Sequence, residues 1–553
     1  MSTENTIYRA IARAMVAEGI TTHFALLGDG NMHFGTVLAE APEITTINMR
    51  HEHCCVAAAM AWSDTTGELA LASVTCGPGL TQLMTGLTQA ARSRVPLICF
   101  VGEAPIHKDW YAQDIDQAAL VTPTGARYVA ARSPGRLYAA IQKAFHIARH
   151  ERLPVVLGVP LDMQKEPAPA GDYTPAPRVS SGAAVVPEAA GLDRLADLLA
   201  TAKRPVILAG KGVIQSGAAK AVEDLAEASG ALLSTTLPAM GLYDHNPYSL
   251  GVSGGYAREY ATELAAGADL VLAFGASLST YTLAGGSYYG SARRVQIDIA
   301  PLGLYEGVWG ADEWLVADAG LTAIGVTERL KGRPVASELR TQDVAARLAR
   351  DVSDSAPRVD TDTLVDPRTA IDAIDAVLPK DYQLVAGNGH QAFWQASLRG
   401  FQGGNCHVYK NFSAIGSGLS FAIGVTAAQN SDRVAFIEGD GSLMMHVQEL
   451  DTVKRHNLKM LIIVMNDAAY GAEIHKLRAV GLNDSVAIHG FADFAAIARG
   501  FGLRGATATN PDEITAAIAE YEAGEEAMVL NIHISDQIAS PRMRKQQVEA
   551  RSA

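Results

Sequence analysis

Acidic and amide side chains stand at two points where an apolar run of the sequence ends. Asp440 lies between two glycines in "FIEGDGSLMM", and Asn466 and Asp467 close the next apolar run, "KMLIIVMND". Parallel strands present their carboxyl ends at one edge of a sheet, so we expect these side chains to lie close together. Their hard oxygen atoms suit Mg²⁺ or Ca²⁺, and the glycines let a phosphate approach the backbone. The pattern predicts a divalent cation bound together with a diphosphate.

The elements that must hold these residues alternate along the chain. Continuous apolar strands such as "VPLICFVGE", "ADLVLAFGA" and "RVAFIEG" are separated by segments with helical spacing. This alternation is typical of parallel sheets covered by helices on both faces. We predict an α/β fold with three doubly wound parallel-sheet domains, over residues 1–165, 179–345 and 360–545. Residues 165–178, with four prolines, are predicted to be a linker, and the polar stretch 333–366 to contain one helix and the second boundary.

The composition excludes several classes of function. The chain has 553 residues, a net charge of −14 and no Lys/Arg run, which argues against nucleic acid or an anionic membrane as partner. No uninterrupted apolar stretch reaches the ~18 residues of a membrane span, and the first residues have no apolar signal core. Five scattered cysteines without a CxxC pair argue against a disulfide framework. We therefore expect a cytoplasmic globular protein.

The segment from Asp440 to the Tyr470–Gly471 pair is similar to the thiamin-diphosphate motif, a GDG followed by a second metal ligand after one more strand. With the segments described below, the whole chain resembles the family that contains acetohydroxyacid synthase, pyruvate decarboxylase, benzoylformate decarboxylase and benzaldehyde lyase. That family has an aminopyrimidine-binding (PYR) domain, a central domain and a diphosphate-binding (PP) domain, and the resemblance implies the same order here.

The resemblance implies a ligand set for the cation, Mg²⁺ or Ca²⁺ in its place. Asp440 matches the first ligand. Counting from GDG alone allows Asn466 as the second ligand, whereas alignment on the Tyr–Gly pair selects Asp467, 27 residues after Asp440. We favour Asp467, with the backbone carbonyl of Ala469 as third protein ligand.

Further cofactor contacts follow from the same resemblance. In the PP domain they are Gly389, His390, Gln391, Ser413, Ile415, Gly439, Gly441, Ser442, Tyr470 and Gly471. Ile415 would lie between the two rings of the cofactor and hold them bent. The Ser413 carbonyl would accept a hydrogen bond from the 4′-amino group.

The first domain is predicted to supply the activating acid. "NMRHEHCC" resembles the family's Arg-His-Glu segment, in which Glu52 is the acid. A carboxyl bonded to N1′ of the aminopyrimidine favours the tautomer whose 4′ nitrogen can take the C2 proton. Thr75 and Gln82 are further candidates to face the cofactor. In the family this Glu reaches a cofactor held by another subunit, which implies a homodimer or homotetramer with active sites at the subunit interface.

The substrate side is less specific. Asp29, in "LLGDGNMHF", resembles an acidic position of decarboxylases, and Gln113 resembles an active-site Gln of synthases. Asp29 favours decarboxylation, whereas Gln113 and the synthase-like "TCGPG" loop favour capture by a second carbonyl. Other polar residues near these positions, for which a structural role is the default interpretation, are Asn31, His33, His107, Glu473 and His475. We predict a lyase or carboligase for 2-oxo acids that decarboxylates and forms acyloins, as acetolactate synthase does; cleavage of a 2-hydroxy ketone or 1,2-dione is the alternative.

The middle domain allows a different class of function. "ILAGKGVIQSG" is an incomplete Gly-rich nucleotide loop, so a flavin- or nicotinamide-linked oxidoreductase is an alternative hypothesis. "GASLSTYT", however, has no Arg where the synthases carry an FAD contact. We therefore expect no FAD.

Overall fold

Three parallel six-stranded sheets form the framework of the protein in a computed structural model, which describes residues 5–178, 184–300, 304–305, 308–429 and 431–545. The predicted start of the second domain, residue 179, lies outside the described residues. Helices flank every sheet, as the alternating pattern predicts. The expected α/β class with three parallel sheets is confirmed.

The strands of the first sheet are β1 Thr22–Ala25, β2 Thr45–Asn48, β3 Leu71–Val74, β4 Leu97–Glu103, β5 Arg127–Ala130 and β6 Pro154–Pro160. Those of the second are β7 Pro205–Ala209, β8 Leu232–Thr235, β9 Ser249–Val252, β10 Leu270–Phe274, β11 Arg293–Asp298 and, after a small antiparallel pair (β12 Leu304–Tyr305 and β13 Val308–Trp309), β14 Glu313–Val316. Those of the third are β15 Gln383–Ala386, β16 Cys406–Val408, β17 Val434–Gly439, β18 Leu461–Asn466, β19 Arg504–Ala508 and β20 Met528–His533.

The strand orders divide the sheets into two kinds. The first sheet runs β2-β1-β3-β4-β6-β5 and the third runs β16-β15-β17-β18-β20-β19, which is the same order counted from each sheet's first strand. The second runs β14-β11-β10-β7-β8-β9, the arrangement found in dinucleotide-binding sheets. Two of the three sheets are thus versions of one fold.

The α-helices are α1 Ile7–Ala17, α2 Met32–Ala39, α3 Glu52–Thr66, α4 Pro78–Thr81, α5 Met84–Arg92, α6 Gln117–Val121, α7 Leu137–Glu151, α8 Ala189–Thr201, α9 Lys211–Gln215, α10 Ala219–Ser229, α11 Glu259–Ala266, α12 Ala319–Leu330, α13 Gln342–Ala349, α14 Pro367–Val377, α15 Gln391–Gln395, α16 Gly418–Gln429, α17 Asp440–Met445, α18 Glu449–Arg455, α19 Gly471–Ala479, α20 Phe494–Gly500 and α21 Pro511–Glu522. Within the described ranges, none is both long and apolar enough to cross a membrane.

Helix boundaries near the site differ from the sequence-based expectation. The stretch "HVQELDTVKRH" predicts one helix that starts at His446, but α17 begins at Asp440 itself and a second helix, α18, follows. Because Asp440 is the first residue of α17, its carboxyl lies at the positive end of a short run of aligned peptide dipoles.

One hydrophobic core joins the first and third sheets. It contains side chains of β1, α3 and β4 together with side chains of α16, β17 and β18. Small residues bring α3 and α16 together, and a Cβ placed on Gly424 would lie 2.2 Å from the carbonyl oxygen of Ala58. Because α3 starts with Glu52 and α16 follows directly after Ser417, this packing fixes the candidate acid relative to the third sheet.

We expect Gly424→Leu to destabilise the protein by about 1–3 kcal/mol, because the added side chain must push α16 away from α3. Gly500→Ala is the matched control, since its Cβ would have no heavy atom within 4 Å. Urea unfolding of both variants measures the effect, and equal unfolding midpoints would contradict the close packing.

Candidate functional site

Two carboxyl groups are buried at the adjoining ends of β17 and β18. Gly439 pairs with Met465 across these strands, so the following residues, Asp440 and Asn466–Asp467, emerge side by side. The side chains of Asp440 and Asp467 are both almost completely buried. The structure therefore brings together the two acids that the sequence singled out.

The electrostatics of this pair are those of an anionic site. Burial raises the pKa of Asp440, an effect that the His489 imidazole, 2.9 Å from its carboxylate, partly offsets. Burial and the neighbouring charge of Asp440 raise the pKa of Asp467 well above its usual range. Two carboxylates this close and this buried are costly when both are charged, unless a cation lies between them.

Asn466 is engaged in a different network. Its amide nitrogen donates to the carbonyl of Ala492 and to the side-chain oxygen of Asn531, and its side-chain oxygen accepts from the N–H of Ala468. These three bonds hold the start of the loop after β18. The arrangement favours Asp467 over Asn466 as the second ligand.

The loop after β18 turns sharply around Ala468, whose φ is +61°. The carbonyl of Ala468 accepts from the N–H groups of His489 and Gly490, and that of Tyr470 accepts from Glu473 and Ile474. The intervening carbonyl belongs to Ala469, the third predicted ligand, which is buried. A Cβ at the following Gly471 would lie 2.3 Å from the Asp467 carboxylate, so only glycine fits there.

The predicted diphosphate loop lies against the same two strand ends. Gly389 has a φ of +148°, and a Cβ there would lie 2.4 Å from the side-chain oxygen of Gln391. The amide of Gln391 donates to the buried carboxyl of Glu438, 2.9 Å away. The ring of His390 accepts from the N–H of Ser540, and burial lowers its pKa to about 3, so it remains neutral. Gln391 and His390 thus join this loop to β17 and to the C-terminal segment.

The turn that carries Ile415 is held by hydrogen bonds on several sides. The N–H of Gly416 donates to Ser442 Oγ, and the carbonyl of Gly416 accepts from Nδ1 of His446, both at 2.8 Å. Ser413, with a φ of +55°, donates its hydroxyl to the carbonyl of Lys410. Ile415 is half-buried and lines the same pocket as Asp440. Ser442 and His446, which follow Asp440 in the chain, therefore hold the turn that positions Ile415 in the pocket.

The pocket at this edge of the third sheet is lined by Asn388, Gly389, His390, Gln391, Trp394, Ile415, Gly439, Asp440, Gly441, Ser442, Met465, Asp467, Ala469, Tyr470, Gly471, Ala472, Glu473 and Ile534. Its floor is a glycine-lined cradle with two buried acids, and its wall is the half-buried Ile415. These groups fit a diphosphate with a divalent cation at one end and an apolar ring system at the other.

Glu52 starts helix α3, beside the Ile415 turn. Its neighbour His53 lies 2.8 Å from the hydroxyl of Ser417, and the rings of His53 and His446 are stacked. The Glu52 side chain is itself only half-buried. Its position leaves the carboxyl available at the surface where the first and third sheets meet.

The substrate-side candidates Asp29 and Gln113 lie at the carboxyl end of the first sheet, together with Thr75, a candidate to face the cofactor. Thr75 accepts from the N–H of Gly30, next to the exposed Asp29, and the thiol of Cys76 donates to the side-chain oxygen of Gln113. Burial raises the pKa of this thiol, and the Asp29 carboxylate adds to the effect. Asp29, Thr75 and Gln113 therefore form one cluster, whereas Gln82 lies exposed at the end of α4.

Among the remaining polar candidates, Asn31 is buried, and its side chain is hydrogen-bonded to Gly28, Leu26 and Ser73. His33 packs on Tyr8, and His475 is buried against His390. His107 and Glu473 are exposed. Asn31 thus holds the Asp29 loop.

Several site residues escaped the sequence reasoning, among them Glu438, His446 and His489. Glu438, the buried acid bonded to Gln391, is the one charged residue in an otherwise apolar strand, a signal that could have revealed it. Burial raises its pKa to about 8. His446 and His489 belong to no sequence motif, and only the folded chain brings them to the site.

Three segments of the chain match the domains of a known protein family. Residues 5–120 match the thiamine pyrophosphate enzyme N-terminal TPP binding domain, residues 192–325 the central domain and residues 387–532 the C-terminal TPP binding domain. Thiamine pyrophosphate is another name for thiamin diphosphate. The two outer matches contain Glu52 and Asp440, respectively.

Curated relatives resemble nearly the whole chain. The "Probable acetolactate synthase large subunit" of Methanocaldococcus jannaschii is 27% identical over 96% of this chain and 92% of its own length. "Acetolactate synthase 2, chloroplastic" of Zea mays is 26% identical, over 95% of this chain and 85% of its own. The similarity thus extends across all three sheets.

We expect Asp467→Ala to weaken thiamin diphosphate binding by about tenfold or more at limiting Mg²⁺, because a charged ligand is lost. Asn466→Ala should instead leave this affinity nearly unchanged and lower stability by about 1–3 kcal/mol, because buried partners lose their hydrogen bonds. Tryptophan-fluorescence titration and urea unfolding measure the two effects. The reverse outcome would assign the ligand to Asn466.

Proposed function

The chain belongs to the thiamin-diphosphate-dependent enzyme family of acetohydroxyacid synthase type, and we propose that it is a carboligase that acts on 2-oxo acids. In the proposed reaction one 2-oxo acid loses CO₂. Its former carbonyl carbon then bonds to the carbonyl carbon of an acceptor, whose oxygen takes up a proton. Decarboxylation without an acceptor is the simpler branch of the same chemistry.

The observation that carries the proposal is the buried pair Asp440 and Asp467 beside the glycine cradle. We propose that both acids, with the carbonyl of Ala469, hold Mg²⁺, and that Gly389, Gly439 and Gly441 leave room for the diphosphate. Bound thiamin diphosphate supplies a nucleophilic carbon and an electron sink for breaking a bond next to a carbonyl. The half-buried Ile415 would support its rings.

In this proposal the residues of the first sheet act on protons and on the acceptor. Glu52 would hold a proton at N1′ of the aminopyrimidine. Asp29 and Gln113 belong to one cluster with Thr75, so they would face a common ligand. The names of the curated relatives support a second carbonyl compound as that ligand.

A second copy of the chain is part of the proposal. Several large apolar side chains next to the pocket are exposed in the single chain, namely Met444, Met445, Tyr470, Leu482, Val486 and Phe491. Contiguous apolar surface of this kind is typical of subunit interfaces. We propose that the first sheet of a partner subunit covers it, in a dimer or a tetramer.

A substrate panel tests the reaction. Pyruvate, a branched 2-oxo acid, benzoylformate, benzoin and a cyclic dione are each supplied with and without an acceptor aldehyde, and CO₂ and C–C products are measured. We expect CO₂ release from a 2-oxo acid and a ligated product when an acceptor is present. Cleavage of benzoin or the dione alone would replace the proposal by the ketol or dione alternative.

We expect Glu52→Gln to bind thiamin diphosphate normally but to exchange the cofactor's C2 proton about 10²–10⁴-fold more slowly, since the amide cannot hold the shared proton. Proton NMR in D₂O follows the exchange on the loaded enzyme. Glu68→Gln, an exposed acid in the turn between α3 and β3, is the control. An unchanged exchange rate in Glu52→Gln would remove Glu52 from this role.

A further inference from the structure

Two histidines and one cysteine meet where helix α3 contacts the segment between α17 and α18. We call this group the His–Cys–His cluster; it consists of His51, Cys54 and His446. One nitrogen of each imidazole and the sulfur of Cys54 all lie within 4.8 Å of one another. The rings of His51 and His446 meet edge to face, with centres 4.8 Å apart. Nitrogen and sulfur atoms that converge in this way are a typical ligand set for a transition metal.

The cluster draws its members from two sheets. His51 and Cys54 are three residues apart at the start of α3, so both lie at the first turn of this helix. His446 joins them from the third sheet, and its ring stacks on that of His53, with centres 5.2 Å apart. A metal ion in the cluster would therefore link the first sheet directly to the third.

The tautomer of His446 suits metal binding. Its Nδ1 donates to the carbonyl of Gly416 at 2.8 Å, so the lone pair of the neutral ring is on Nε2. Burial lowers the pKa of this imidazole, which keeps the ring neutral. A backbone carbonyl bonded to the second ring nitrogen is a usual way in which proteins orient a metal-binding histidine.

His51 gives up one hydrogen bond when it binds a metal. Its Nδ1 accepts from the N–H of His53 at 3.1 Å, so the proton of the neutral ring is on Nε2. Binding through either nitrogen replaces this bond with a metal–nitrogen bond. The released N–H lies in the first turn of α3, where N–H groups have no partner within the helix. One such bond is a small cost beside the free energy of a metal site.

A buried acid lies beside the sulfur. Glu449 is completely buried, and it forms no ion pair in the ranges that the structure describes. Arg50 donates its backbone N–H to Glu449, but its guanidinium is paired with Asp451, 2.6 Å away. Burial raises the pKa of Glu449, and burial with the charge of Glu449 raises that of the Cys54 thiol well above its usual range. A divalent ion on the Cys54 thiolate leaves one positive charge, which the Glu449 carboxylate can balance.

We propose that the His–Cys–His cluster binds Zn²⁺, with a water molecule as the fourth ligand. When the ion binds, the S–H bond of Cys54 breaks, its proton passes to solvent, and a metal–sulfur bond forms. Tetrahedral zinc holds nitrogen and sulfur ligands about 3.3–3.6 Å apart, so the three side chains close by up to about 1.5 Å. His51 and His446 are half-buried, which leaves the ion a route from solvent and a place for the water. The cluster prefers a softer ion than the Mg²⁺ that we assign to Asp440 and Asp467.

Cobalt spectroscopy tests the site. Co²⁺ can replace Zn²⁺, and a thiolate ligand gives it a sulfur-to-cobalt charge-transfer band that carboxylate ligands do not give. Co²⁺ is titrated into the enzyme in excess Mg²⁺ and thiamin diphosphate; we expect one equivalent to produce the band and Zn²⁺ to remove it. Cys54→Ala should abolish the band, whereas Cys55→Ala, at an equally buried neighbouring cysteine, should keep it. No band in the wild type, or a band that survives in Cys54→Ala, would overturn the proposal.

A second variant makes the test independent of the core substitution. We expect His51→Gln, at a half-buried position, to bind Co²⁺ at least tenfold more weakly than the wild type. In excess Mg²⁺, Zn²⁺ should raise the urea unfolding midpoint of the wild type and of Cys55→Ala, but not of His51→Gln. Equal stabilisation of His51→Gln and the wild type would contradict the assignment.

The two proposed cation sites can be told apart in the same experiment. Asp467→Ala should keep the sulfur-to-cobalt band, because its carboxylate belongs to the other site. Loss of the band in this variant would mean that the thiolate signal does not come from a separate cluster, and would overturn the inference. Neither measurement uses a substrate, so failure of the proposed carboligase function would leave the result unaffected.

Discussion

Two buried acids at neighbouring strand ends impose the strongest constraint on this molecule. Asp440 and Asp467 cannot both carry a charge in so little space without a counter-charge: burial raises the pKa of both acids, and the charge of Asp440 raises that of Asp467 further. A site that needed only polarity could use amides, as Asn466 does one residue earlier. Two carboxyls suit the hard cation that we propose, and the sharp turn at Ala468 and the glycine at 471 leave space for the Asp467 carboxylate.

The packing of α3 on α16 is a second constraint, because it fixes the first sheet relative to the third within one chain. Small residues at the contact allow the helices to approach so closely that a Cβ on Gly424 has no space. Helix α3 begins with Glu52, and the next residue, His53, contacts Ser417, which directly precedes α16. The position of Glu52 relative to the Ile415 turn is thus set by a dry contact between backbones, which varies less than a contact between long side chains.

Much of the fold and part of the site could be predicted from sequence. The end of a strand can be predicted from sequence because an apolar run stops at a polar residue. For this reason the sequence predicted that Asp440 and Asp467 lie close together. The loops after them were not readable: His489 reaches Asp440 only because its own N–H bonds to Ala468. The early start of α17 was missed because Gly–Asp–Gly is usual in a turn.

The single core shared by the first and third sheets has a mechanical consequence. A continuous, close-packed interior does not slide, so these two sheets should move as one rigid body. The second sheet has its own core clusters and meets the third through few apolar residues, among them Met240, Val252 and Tyr256. Any swing that admits a substrate is therefore expected at this junction. In such a swing the stacked rings of Tyr256 and Phe393, whose centres lie 4.9 Å apart across this junction, would separate and meet again with each catalytic cycle.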